Sequence, residues 1–143
     1  METGFVISTY GSPAYIDLQL ALHKGKWGHD CIIVDDGSKD PLLQEVCNKW
    51  KVPLTGTSDE RLGHQKGDAK AYREGIEYFS DKDWIFKISR RFLWLKDFSK
   101  ELPDSDFSKS PVLSDWWVPN PKWENNRAFT TCCLGIYNKA LPI

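Results

Sequence analysis

The chain has 143 residues, 41% of them apolar, 13% aromatic and 27% charged, the balance of an ordinary globular domain and not of a disordered, collagen-like or coiled-coil chain. A compact chain of this size buries roughly 68 to 70% of its unfolded surface, so a core forms without disulfide staples. Lys plus Arg number 19 against 20 Asp plus Glu, a net charge of -1. That excludes a global field for nucleic acid or an anionic membrane and confines any anion site to a local cluster.

Phe5 to Ile7 is a short apolar run, followed by Ser8-Thr9-Tyr10-Gly11-Ser12-Pro13. This reads as strand, loop and helix start. Ser12 is placed to cap, and Pro13 takes the first helical position, where its missing N–H costs nothing. The helix is expected from Pro13 to about His23, closed by Gly25. Cys31-Ile32-Ile33-Val34 is apolar on successive residues, as in a strand covered on both faces, and it ends in Asp35-Asp36-Gly37-Ser38. Asp40-Pro41 repeats the cap-then-proline signal, with Leu43, Val46, Cys47 and Trp50 on one face of the next helix. Val52 to Thr55 is a weak third strand. After a polar loop from Gly56 to Gly67, Asp68 is placed to cap a helix whose Ala69, Tyr72, Ile76 and Phe79 share a face. Trp84 to Ile88 is a fourth strand. The alternation predicts an α/β fold, a mainly parallel central sheet flanked by helices.

Beyond Phe92 the pattern loosens into a short irregular and antiparallel C-terminal part. Residues 111–118 and 129–137 read as strands, separated by the Pro119-Asn120-Pro121 turn. The last strand runs out to Ile143 with no closing helix. The expectation is one domain over 1–143, either a fragment or a shortened version of a longer domain, with an open sheet edge on which a homodimer would form.

Cys31 and Cys47 lie in apolar segments, and Cys132 and Cys133 are adjacent, a poor pattern for zinc or disulfide bonding. All four read as reduced thiols packed as small hydrophobes, which places the chain in the cytoplasm. No charged segment followed by an apolar stretch opens the sequence, and no run of about 18 apolar residues occurs, so neither a secretory signal nor a transmembrane segment is visible.

In an open parallel sheet, ligands collect outside the carboxyl ends of the strands. Four segments meet there: Ser8 to Gly11, Asp35 to Ser38, Gly63 to Gly67, and Ser89 to Arg91. Asp35 and Asp36 can accept hydrogen bonds from a base or a ribose; the competing reading is turn chemistry, with Ser38 or Asp40 as a helix cap. The segment from Arg61 to Gly67 leads into a helix N-terminus, where backbone amides, the helix dipole and the segment's cationic side chains, Lys66 among them, would meet a phosphate. The P-loop spacing is absent. The alternative is a solvated face on which Lys70 pairs with Glu74 and Arg73 with Glu77. Lys87, Arg90 and Arg91 close the fourth strand, and guanidinium matches phosphate oxygens bidentately. Pairing with Asp97, Glu101 or Asp104 is the competing use of these cations. Among seven tryptophans, Trp84 and one of Trp116 and Trp117 are assigned to the core and Trp123 to the surface. His23, His29 and His64 have no mutual metal spacing, and no nucleophilic triad assembles.

Phe5-Val6-Ile7-Ser8-Thr9-Tyr10, then Ile32-Ile33-Val34-Asp35-Asp36-Gly37-Ser38, then a helix leading to Asp83-Trp84-Ile85-Phe86, resembles the nucleotide-sugar-binding half of family 2-like glycosyltransferases with the GT-A fold. The match covers about residues 4 to 98 and leaves 99–143 as a partial acceptor-side half. The resemblance implies a Rossmann-like GT-A sheet, a nucleoside diphosphate sugar as donor and a glycan or other hydroxyl as acceptor. Ser8, Thr9, Tyr10, Asp35, Asp36 and Ser38 would lie near the donor. In that family an Asp-x-Asp follows the fourth strand and holds ribose and a divalent metal, whereas this chain has Ser89-Arg90-Arg91. The replacement removes the oxygen ligands that a hard cation needs, so neither metal nor cofactor is expected, magnesium or manganese being left open. Arg90 or Arg91, with Lys66 or Lys87, would neutralise the diphosphate directly. A non-catalytic nucleotide-sugar or glycan-binding module on the same fold is the competing reading. Nucleotidyl transfer ranks third, because Gly11 alone stands where a glycine-rich loop belongs. Inverting transfer needs a carboxylate base, and Asp115, then Glu124, are the candidates.

Overall fold

A computed structural model describes residues 2–101, 112–114, 117–119, 127–129 and 133–137. The first strand, β1 (Thr3–Thr9), is followed by helix α1 (Pro13–Leu20), a π-helical turn (Ala21–Lys26), β2 (Asp30–Asp35), α2 (Pro41–Trp50), β3 (Leu54–Thr55), α3 (His64–Tyr78) and β4 (Trp84–Ser89). A 3₁₀ turn (Phe98–Glu101) and four short strands follow: β5 (Val112–Ser114), β6 (Trp117–Pro119), β7 (Arg127–Phe129) and β8 (Cys133–Tyr137). The main sheet has six strands in the order β3-β2-β1-β4-β8-β5. The first four are parallel and the last two antiparallel, so the α/β expectation holds. No helix among the described residues is long and apolar enough to cross a membrane.

The continuous apolar runs become strands because both faces of the sheet are covered. On one face Phe5, Ile7, Ile33, Trp84, Phe86 and Ile88 pack with Ile16 and Leu20 of α1 and Leu43 and Cys47 of α2. On the other, Val6, Ile32, Val34 and Ile85 pack with Ala71 of α3 and Phe79 just beyond it. Burial of residues of this size contributes on the order of 2 kcal/mol each. Cys31 and Cys47 are free and buried, and burial raises their thiols to about 12 and about 11, so they stay protonated and inert.

Several expectations need correcting. The face of α3 that meets the sheet is Ala71 and Gly75, not Ala69 and Tyr72. A Cβ at Gly75 would strike Val6 and Ile85, so small residues let the helix backbone approach the strands. Asp68 does not cap α3: the helix starts four residues earlier, with Gly63 at its N-cap. Ser12 occupies the N-cap of α1 without a side-chain capping bond, its hydroxyl donating instead to the Tyr10 carbonyl. Asp40 does cap α2, accepting from the Leu42 amide. Gly25 does not close α1: it sits inside the π-helical turn, against the Trp50 ring. Each of the two expected C-terminal strands splits. β5 and β8 join the main sheet, while β6 pairs with β7 in a separate two-stranded ladder, and the polar pairs Ser114-Asp115 and Thr130-Thr131 stand near the two divisions.

The π-helical turn has a second consequence. It turns His23 inward, fully buried, and sets its Nδ1 3.0 Å from His29 Nδ1. The His29 ring stacks on Phe5 at 4.3 Å, and its Nε2 lies 3.0 Å from Asp97 Oδ1. The Ser99 hydroxyl donates to that same carboxylate oxygen. This buried chain ties the segment after β4 to β1 and β2. The carboxylate draws the His29 proton to Nε2, which leaves His29 Nδ1 to accept from His23. His23 Nε2 is then a buried acceptor without a hydrogen-bond partner.

Burial, then the charge of His29, pushes His23 down to about 4, and burial lowers His29 as well. Both histidines therefore bind protons more readily in the unfolded chain, so their contribution is intact above about pH 6.5 and is lost as pH falls towards 4. Urea unfolding across that window is expected to show a loss of about 3 kcal/mol from His23, and His23→Met is expected to remove most of the slope.

Candidate functional site

β1 lies between β2 and β4 and is parallel to both. The chain leaves β1 for α1 on one face, while α3 on the other face leads into β4, so the paired carboxyl ends of β1 and β4 lie at the switch point where such sheets bind ligands. A cavity of about 370 Å³ opens there. Ser8, Thr9 and Tyr10 line it from β1, Asp35 and Asp36 from β2, and Ser89, Arg90 and Arg91 from β4, with Arg61, Gly63, His64, Gly67, Asp68 and Lys70 closing the α3 side. Of the expected donor-binding residues, all but Ser38 and Lys66 meet at this cavity.

The two aspartates hold the rim together. Asp35 is buried and accepts from the Gly11 amide on one oxygen, and from the Ser38 amide and hydroxyl on the other. Ser38 therefore serves Asp35 and does not face the cavity. Asp36 accepts from the amides of Leu62 and Gly63 at 2.9 and 3.0 Å, satisfying donors just before α3 that the helix itself leaves free. Gly37 follows with φ +81°, and a Cβ there would meet the Glu60 backbone, so the loop before α3 lies directly on this turn. The Thr9 hydroxyl is likewise engaged, donating to the Gly11 carbonyl.

The cations divide into two groups. Lys87 is 1% exposed and pairs with Asp68 at 2.6 Å, on the sheet face covered by α3, so it does not reach the cavity. Lys66 is exposed and lies outside the lining. Lys70 does line the cavity and donates to the Ser58 hydroxyl. Arg61 lies over the Tyr10 ring, 4.4 Å from its centroid, a cation–π contact that fixes the guanidinium at the mouth. Arg90 is half-buried, and its Nε is buried without a hydrogen-bond partner. Burial, then the charges of Arg91 and Arg61, lowers the Arg90 pKa. Among the described residues none of these three arginines pairs with a carboxylate. Of the partners considered for them, Asp97 belongs instead to His29, Ser99 and Lys100, while the Glu101 side chain and Asp104 lie outside the described residues.

Ser89, Arg90 and Arg91 do not fit a divalent cation, since two guanidiniums stand where oxygen donors are required. Among the described residues no group of three His, Cys, Asp or Glu side chains comes together in a metal-binding arrangement. Asp115, Glu124, Trp116 and Trp123 lie outside the described residues. No protein-family model matches this chain, and no curated protein matches its sequence.

The sequence singles out Lys66 among the cations of the Arg61–Gly67 loop, and assigns no donor-binding role to Lys70 or Asp68. The signal for Asp68 and Lys70 is the Gly67, Ala71, Gly75 spacing, three small residues one turn apart that mark the inward stripe of α3. Removing the Asp36 clamp is expected to loosen this side of the cavity. Asp36→Ala should lower stability by about 1.5 to 3 kcal/mol in urea unfolding and speed amide exchange at Leu62 and Gly63.

Proposed function

We propose that this chain is a GT-A-like glycosyltransferase domain that takes a sugar from a nucleoside diphosphate donor and passes it to a hydroxyl acceptor without a bound metal. The observation that carries the reading is the convergence of Arg61, Arg90 and Arg91 on one cavity, none of them in an ion pair with a carboxylate among the described residues. A half-buried guanidinium that is repelled by two others is stabilised by an anion. A diphosphate supplies several oxygens in the geometry that guanidinium binds in pairs.

In transfer, the acceptor oxygen bonds to the anomeric carbon while the bond from that carbon to the diphosphate breaks. The diphosphate keeps the electron pair. Fixed positive charge at Arg90 and Arg91 would stabilise this leaving group as its charge grows, in a site already organised before reaction. The acceptor proton passes to a carboxylate base, for which Asp115 remains the proposal. Tyr10 and the β1 carboxyl end offer the donor's nucleoside an aromatic edge and backbone groups.

One observation favours the alternative, a module that binds nucleotide sugar or glycan and does not turn it over. Both rim carboxylates, Asp35 and Asp36, are taken up by backbone amides. Incubation with nucleotide sugars separates the two, because the module neither hydrolyses nor transfers the donor at high protein concentration. For the anion role itself, Arg90→Ala and Arg91→Ala are each expected to weaken nucleoside diphosphate binding by about 1.5 to 3 kcal/mol while leaving the bare nucleoside nearly unaffected. Equal losses for both ligands in calorimetry would remove the phosphate role.

A further inference from the structure

The turn that carries Arg90 and Arg91 is held from beneath by one side chain on α1. Gln19 is 1% exposed, and its Nε2 lies 2.6 Å from the Phe92 carbonyl, 3.1 Å from that of Arg90 and 3.4 Å from that of Ser89. The same turn is closed by its own backbone, with the Phe92 amide donating to Ser89 and the Arg90 amide to Ser8 of β1. Three carbonyl oxygens converging away from water repel one another unless a donor sits among them. The carboxamide is that donor, and its two protons are shared among three acceptors.

Two atoms on either side of this contact are left over. Gln19 Oε1 and Arg90 Nε are both buried and lack hydrogen-bond partners. Gln19 therefore fixes the Arg90 backbone without satisfying its guanidinium, which stays open towards the cavity. We propose that Gln19 is a positioning residue for the arginine pair: by gathering the carbonyls of Ser89, Arg90 and Phe92 it sets the direction in which Arg90 and Arg91 present their charge to an anion. This inference rests on the diphosphate reading above. It places a buried residue of α1, outside the four rim segments, in the machinery of the site.

The test uses the full chain and inorganic pyrophosphate, titrated calorimetrically in EDTA. Gln19→Met keeps the volume and removes both donors, and it is expected to bind pyrophosphate about tenfold more weakly than the wild type. The accompanying signature is in the arginine Nε–H nitrogen correlations. Pyrophosphate should shift the Arg90 and Arg91 signals in the wild type, and these shifts should shrink in folded Gln19→Met. A variant that melts earlier but keeps wild-type affinity and wild-type arginine shifts would show Gln19 to be core packing only, and would overturn the proposal. Gln19→Glu, which turns donors into acceptors at the same length, gives the same comparison where Gln19→Met fails to fold. In the wild type itself, the Gln19 side-chain amide signals should move on saturation, and unmoved signals would overturn the proposal without any variant. Pyrophosphate binding that is lost in Arg90→Ala/Arg91→Ala but untouched by either Gln19 variant removes Gln19 alone. A wild type with no affinity for pyrophosphate removes the diphosphate reading and this inference with it.

Discussion

The placement of β1 between two parallel neighbours is the constraint from which the rest follows. Its pairing with β2 and β4 runs almost the full length of each strand, so the three carboxyl ends emerge side by side. The covering helices lie on opposite faces, which separates the loops there and opens the cavity. Each loop is then pinned by a polar group reaching across it. Asp35 holds the β1 turn, Asp36 holds the entry to α3, and Gln19 holds the turn after β4. These hydrogen bonds fix the backbone from which the rim side chains leave the sheet.

Charge is distributed in a corresponding way. The acidic residues of the rim spend their capacity on backbone amides, and Asp68 spends part of its own on the buried Lys87. Arg61, Arg90 and Arg91 have no such partners among the described residues. The cavity thus carries negative groups already satisfied and positive groups still open. On the proposed reading that arrangement favours an anion, most strongly at the half-buried Arg90. On the proposed diphosphate reading, Arg90 and Arg91 would bring to the leaving group the positive charge that a metal ion otherwise supplies.

Much of this was legible in the residues, and the exceptions have physical causes. The parallel strands declared themselves because residues such as Cys31 to Val34 are apolar in succession, which only two-sided burial explains. The rim segments followed from strand ends. The phase of α3 did not, because its sheet contact is made by Ala71 and Gly75, and periodicity counts bulk, not closeness. The contact of His23 with His29 was hidden by the π-helical turn, which breaks the 3.6-residue repeat just where His23 turns inward. Lys87 looked like a rim cation, but strand alternation points it under α3, beside Asp68. Gln19 left no local signal, since its three acceptors lie about seventy residues away in sequence.

The account stands most directly on one titration: the purified chain against UDP, GDP and CMP, each measured in EDTA and again with Mn²⁺. It predicts micromolar binding of one nucleoside diphosphate, unchanged by chelation, because the charge that holds the diphosphate belongs to arginine side chains. Binding that appears only with Mn²⁺ would contradict the metal-free arginine site, and no binding under either condition would contradict the donor site altogether.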